Sequence, residues 1–320
     1  MSTAAAASRL GWYVRQAASS IVETLARSRD RIGGGPGQRP SRLADAGITL
    51  LRTRGENEIW CRCDGRPHRY RGIAAHAHAD ALSVEVRYAG VNILAGPGTM
   101  CYNGERPWRS SRSPIAHNTA ELGGWRQSGE GGPFMRVRHA RTREIEVLDD
   151  GDIARWTAEH DGDASFDPPT LHRRSVLLDR ASRSIDIVDQ IDGSHDIRLA
   201  FHLGPGVQVE LEEPCAALGW PTASTPGAAR LELPLGLRWS LHRGGTDSSF
   251  GSYPRGWGRC VPAVTLLGCG RCMPGMPLIA RLEFLDVGES GKFVVSRHAI
   301  SWSTSAALSD GAPEIQAEAT

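Results

Sequence analysis

Short runs in which apolar and polar residues alternate fill most of the chain after residue 45, and this period of two constrains the fold more than any other feature. Residues 48–54, 58–63, 173–178, 183–191 and 197–203 carry it, with turn formers such as Asp192-Gly193 and Gly204-Pro205-Gly206 between them. Residues 230–233, 237–241, 261–267 and 278–285 continue the pattern. No helical period of comparable length interrupts these runs, so the expected class is all-β: a large antiparallel sandwich of two stacked sheets. With 320 residues, 40% of them hydrophobic, the chain can bury a substantial core as one unit.

The flanks read differently. Trp12, Val14, Ala17, Ile21 and Leu25 form an apolar stripe at helical spacing within residues 10–31. Three successive glycines and two prolines in residues 33–41 then favour neither helix nor ladder. The expected organisation is an N-terminal amphipathic helix and Gly/Pro-rich linker over residues 1–44, the β-sandwich over 45–302, and a disordered tail over 303–320. The first residues lack a basic start followed by an apolar core, so no signal peptide is expected and the default compartment is the cytoplasm. No apolar run is long enough to predict a membrane span.

Charge says little about partners. Lys and Arg total 37 against 36 Asp and Glu, so no net field favours nucleic acid, although Arg106, Arg109, Arg112 and Arg126 form a local basic cluster suited to an anionic glycan. Seven cysteines cannot all pair within the chain, and their spacings do not form a secreted disulfide framework. Cys269 and Cys272 have the spacing of half a zinc ribbon, and Cys61 and Cys63 form another close pair, but no second matching pair completes a site. They are read as ordinary strand or surface cysteines.

The chemistry concentrates around three histidines. His76-x-His78 precedes a run in which Leu82, Val84, Val86 and Tyr88 alternate with Ser83, Glu85 and Arg87, which predicts both rings on one face at the mouth of a half-buried strand. His117 lies in Ala116-His117-Asn118-Thr119, beyond Gly96-Pro97-Gly98-Thr99. Three imidazoles brought together would suit a zinc ion or an anionic substrate.

The wording of this region resembles the heparinase II/III-like polysaccharide lyases, a family that includes alginate and oligoalginate lyases. There, a His-x-His-x-Asp-x-Leu-Ser segment is followed by Asp-Pro-Gly-Thr, a Trp-Arg segment with an Arg-Ser-Thr ending, and Ala-His-Asn-Thr. This chain keeps the order, reading Trp108-Arg109-Ser110-Ser111-Arg112 in the third place. The resemblance covers roughly residues 45–300, the family's C-terminal β-domain, and implies eliminative cleavage of a uronate-containing polysaccharide such as heparan or alginate.

It also implies roles. His76 would neutralise the uronate carboxylate, which stabilises the aci-anion formed as the C5 proton leaves. Arg112 and Asn118 match the loop that closes over substrate, and Tyr102 is a candidate to face the cleft, with structural packing as its alternative. The zinc ligands would be His78 and His117 together with the Asp of Asp-Pro-Gly-Thr, a position held here by Gly96, so zinc binding is expected to be weakened or lost unless Asp80 or another carboxylate substitutes. The family's acid/base residues belong to a helical toroid that precedes the β-domain. The expected partners are therefore an anionic polysaccharide and a separately encoded toroid, with no nucleic acid and no membrane. Many members work in the cell envelope or periplasm. The alternatives from other classes are a non-catalytic glycan-binding or interaction module, and the C-terminal half of a split or decayed lyase.

Overall fold

The computed structural model describes residues 41–55, 57–66, 78–96, 112–124, 130–132, 135–136, 140–162, 166, 169–222, 226–244, 250–256, 259–285, 292–295, 298–301 and 315–316. The expected N-terminal helix lies outside them. Among the described residues there is no α-helix, and hence none long and apolar enough to cross a membrane.

A five-stranded sheet comes first: β1 (Ser41–Leu43), β2 (Ile48–Arg52), β3 (Ile59–Asp64), β4 (Val84–Tyr88) and β5 (Val91–Leu94). Three short strands follow, β6 (Ala120–Leu122), β7 (Glu130–Gly132) and β8 (Met135–Arg136). The middle of the chain supplies β9 (Thr142–Asp149), β10 (Ile153–His160), β11 (His172–Asp179), β12 (Ser184–Ile191), β13 (Asp196–His202), β14 (Gln208–Glu212), β15 (Cys215–Trp220) and β16 (Gly227–Glu232). The last strands are β17 (Leu237–Arg243), β18 (Ser252–Gly256), β19 (Arg259–Pro262), β20 (Val264–Arg271), β21 (Leu278–Leu285), β22 (Lys292–Val295), β23 (His298–Ser301) and β24 (Ile315–Gln316).

The largest sheet has eight strands in the order β14-β15-β16-β21-β12-β11-β10-β9, and a four-stranded sheet has the order β17-β20-β13-β6. The pairings are antiparallel, as short connections permit. A bridge between Leu94 and Leu203 ties the end of β5 to the end of β13, so the five-stranded sheet continues into the four-stranded one. Ala89 and Gly90, both at positive φ (47° and 82°), close the β4–β5 hairpin; two such residues in succession are what the right-handed twist of a tight hairpin requires.

One contiguous core gathers inward side chains from all three sheets, among them Leu51 and Val86, Phe201 and Leu266, and Trp156 and Leu282. In the eight-stranded sheet these side chains form cross-strand rows. Trp156, Val176, Ile187 and Ala280 are direct partners across β10, β11, β12 and β21, and Ala154, Leu178, Ile185 and Leu282 form the next row. Burying each large aliphatic or aromatic side chain contributes about 1.5–3 kcal/mol, so these rows add to the drive that stacks the sheets.

The antiparallel sandwich expected from the alternation is the observed architecture. The β9–β10 and β14–β15 hairpins are additions to the strands read from sequence. Ile315–Gln316, inside the expected disordered tail, pair with β19.

Candidate functional site

The strand that should carry the His-x-His motif begins later than expected. Ser83 N–H donates to Asp80 O at 3.0 Å, and Leu82 takes φ +60°, so a turn separates His78 from β4, which starts at Val84. His78 thus stands in a loop and not at the mouth of a strand, because a left-handed residue breaks the extended run. His76 lies outside the described residues, as does Tyr102; so do Arg106, Arg109 and Arg126 of the basic cluster.

His117 comes from a second loop, residues 112–119, which is buried throughout. A 3-10 turn at Pro114–Ala116 delivers it, with His117 N–H donating to Pro114 O at 2.9 Å. The rings of His78 and His117 meet with centroids 5.2 Å apart and planes inclined by 58°. The convergence of these two histidines is therefore a feature of the fold.

Burial pushes the His117 imidazole down to about 3, with Asp80 opposing and His78 adding to the fall, so the ring is neutral at pH 7. Its Nε2 is buried and has no hydrogen-bond partner among the described residues. Leaving such an atom unsatisfied costs about 1–3 kcal/mol, a cost that a ligand or ion bound at this nitrogen would remove.

A chain of alternating charges borders the pair. Arg62 donates to Glu85 Oε1 and to Asp64 Oδ2, both at 2.8 Å, while Arg66 reaches Asp64 Oδ1 at 2.9 Å and Asp80 Oδ2 at 2.6 Å. Burial and the nearby Asp80 raise the Asp64 carboxyl, and Arg66 and Arg62 oppose them. Gly96 abuts this chain: a Cβ built there would lie 2.7 Å from Glu85 Oε1. The carboxylate nearest residue 96 is thus Glu85, and it is already engaged by Arg62.

His78 and His117 offer suitable nitrogens, but no group of three His, Cys, Asp or Glu side chains assembles among the described residues.

Arg112 and Asn118 are each only 1% exposed. The Asn118 amide donates to Val84 O at 2.9 Å and Ala95 O at 3.2 Å, and its Oδ1 accepts the His202 N–H at 2.7 Å. Its hydrogen-bonding capacity is spent on joining β4, β5 and β13, so it shapes the loop beside His117. His202 acts from β13 in the same way: Nε2 donates to Ile115 O at 2.9 Å and Nδ1 accepts from Thr265 Oγ1 at 3.0 Å. Burial pushes this ring down to about 4, which keeps it neutral and able to play both parts.

Sequence reasoning missed His202 and a buried polar set formed by Arg174, Asp189, His172 and His160. A signal existed. Arg174 shares an inward face with Val176 and Leu178, as Asp189 does with Ile185 and Ile187, and a charge at an inward position of a strand calls for a partner. Among the described residues no cysteine joins a group of three metal-ligating side chains: Cys61 and Cys63 are buried with their sulfurs 3.9 Å apart, Cys269 is exposed and Cys272 is buried.

The profile of the heparinase II/III-like, C-terminal family matches residues 35–250. Among solved structures, a heparinase III gene product superposes with a TM-score of 0.60 at 16% identity, over 82% of this chain and 38% of the other. The heparan sulfate lyase HepC from Pedobacter heparinus gives 0.60 at 15% identity, over 89% of this chain and 43% of the other. At such identities the likeness is one of fold, and this chain spans about two fifths of the length of those proteins. No curated protein sequence matches. By the extent of its family match and the course of its sheets, this chain belongs to the heparinase II/III-like family, whose C-terminal β-domain it carries.

Proposed function

We propose that the chain is the C-terminal β-domain of a lyase that cleaves a uronate-containing polysaccharide by β-elimination, and that a helical toroid domain supplies the proton-transfer residues. In this reading the β-domain binds the uronate end of the site. His76 neutralises the carboxylate, and Arg112 and Asn118 shape the closing loop. The observation that carries it is His117: a buried, neutral imidazole whose Nε2 has no hydrogen-bond partner among the described residues, set against His78. Family membership supplies the reaction class.

The purified chain should release no unsaturated uronate from heparan sulfate or alginate, yet should be retained on one of these polymers, with retention weakened in His76→Ala. Absorbance of the C4–C5 double bond and affinity chromatography measure the two outcomes. Product released by the chain alone and lost in His76→Ala would make it a self-sufficient lyase. Failure to bind any uronate polymer would remove the glycan reading altogether.

Gly96 favours a second reading, a glycan-binding module that no longer holds metal. Zinc on His78 and His117 alone lacks the third protein ligand and the negative charge that offsets the ion. Gly96→Asp should therefore raise zinc affinity by at least roughly 10-fold, since outer-shell changes alone are worth 10- to 100-fold. Gly96 does not sit at positive φ, so the backbone accepts a side chain; the new Cβ needs only the end of the Glu85 side chain to move. Competition with a chromophoric chelator gives both affinities, and equal values would mean that residue 96 does not face the histidine pair.

A further inference from the structure

The two histidine-bearing loops are tied to each other by main-chain bonds and one hydroxyl. Ala79 N–H donates to Arg112 O at 3.0 Å, and Thr119 Oγ1 donates to Ala81 O at 2.9 Å. Between them enters a guanidinium from another sheet. Arg174, on β11 and completely buried, donates through one nitrogen, Nη1, to Leu82 O at 2.9 Å and to Asn118 O at 2.6 Å. One acceptor lies four residues after His78 and the other immediately follows His117.

A second set of bonds fixes that guanidinium. Arg174 and Asp189 are direct cross-strand partners, and Nε and Nη2 donate to the two carboxylate oxygens at 2.7 and 2.8 Å, the two-pronged geometry that only arginine offers. Behind the carboxylate the protons have one consistent arrangement. Gly162 N–H donates to His160 Nδ1 at 3.0 Å, which leaves the His160 proton on Nε2. That Nε2–H donates to His172 Nδ1 at 3.2 Å, and His172 Nε2–H donates to Asp189 Oδ1 at 2.6 Å. Each member is spoken for on both sides, and the guanidinium cannot turn without breaking the row.

We propose that Arg174 is the positioning residue of this site, a rigid cation whose shared Nη1 sets the separation of the loop carrying His78 from the loop carrying His117. The proposal rests on reading those two histidines as the functional pair. It accounts for Leu82, a leucine at φ +60°: its N–H is held by Asp64 O at 3.0 Å and its carbonyl by Arg174, so both sides of the left-handed residue are pinned. It also explains why a charge stands on the same inward face as Val176 and Leu178. A lysine would keep the charge, yet a single ammonium cannot pair with both Asp189 oxygens and bridge two carbonyls at once.

Amide hydrogen exchange on the full chain, without glycan or added metal, tests this apart from the glycan reading. In Arg174→Lys the amides of Ala79, Val84 and Thr119 should exchange at least ~10-fold faster, while those of Val176 and Ile187 in the sheet keep their protection, and the His117 ring resonances should shift. Uniform acceleration through the sheet would reduce Arg174 to general stability and overturn the proposal; so would unchanged loop amides. If Arg174→Lys does not fold, the wild-type chain decides. Separate, slowly exchanging Arg174 Nη–H signals with cross-peaks to Leu82 and Asn118 are expected, and one averaged signal from a rotating guanidinium would refute the clamp.

Discussion

Asp189→Asn should lower the free energy of unfolding by about 3–5 kcal/mol, the range for removing one partner of a buried ion pair, because it leaves the Arg174 guanidinium charged and enclosed. Asparagine still offers one acceptor, but its amide nitrogen must face either a guanidinium or the N–H of His172, both of which are donors. Urea denaturation measures the loss, and a change below about 1 kcal/mol would show that water reaches the pair. Replacing both members, as Arg174→Met with Asp189→Leu, should recover part of the stability while leaving the histidine loops loose, since an apolar pair avoids the unpaired charge and provides no clamp.

The same residue predicts how stability follows pH. Burial alone would raise the Asp189 carboxyl, but Arg174 and His172 together hold it well below the usual carboxylate range. With the folded-state value depressed, the stabilisation is complete above the ordinary carboxylate range near pH 4 and drains away as the pH falls below it. Wild-type stability should therefore drop more steeply in acid than that of Asp189→Asn, and the two curves should converge at low pH.

How far the sequence could be read depends on the range of the interactions involved. β12 was legible almost residue for residue, because Ile185, Ile187, Asp189 and Ile191 share one face and a period of two is a local property. β9 was not: as an edge strand it keeps Arg143, Ile145 and Val147 partly or largely in solvent, so the contrast between faces is weak. The site divides in the same way. His78 and His117 were identified from the motif, and the fold brings their rings together. What holds them there was not readable, since Arg174 reaches Leu82 and Asn118 across 92 and 56 residues of chain. The turn at Leu82 was hidden too, because leucine gives no hint of a left-handed conformation. Gly96 shows the complementary case: the missing carboxylate is plain in the sequence, whereas the approach of Glu85 to the same spot requires the β4–β5 hairpin to be in place.

The other large effect is expected at Trp156. Trp156→Ala should cost about 3–5 kcal/mol, the range for truncating a fully buried aromatic, since the indole fills the row between Val147 on β9 and Val176 on β11 and is 0% exposed. Its Nε1–H donates to Glu144 Oε2 at 3.2 Å, an oxygen that also accepts from Thr49 Oγ1 of β2 at 3.1 Å, so the ring helps fasten the eight-stranded sheet to the five-stranded one. Trp156→Phe separates these contributions: it keeps most of the apolar contact, gives up one hydrogen bond, and should cost nearer 1 kcal/mol plus the smaller ring's packing loss. Equal losses in the two variants, measured by denaturation, would mean that the bond to Glu144 and not the buried ring dominates. The consequence extends to the charged chain beside the histidines. Gly65 lies between Asp64 and Arg66 and rests on the indole so closely that a Cβ there would come within 3.3 Å of the Trp156 ring. An alanine at 156 removes the floor beneath that segment, so the Arg66–Asp80 contact should loosen together with the sheet-to-sheet junction, and the phenylalanine variant should preserve it.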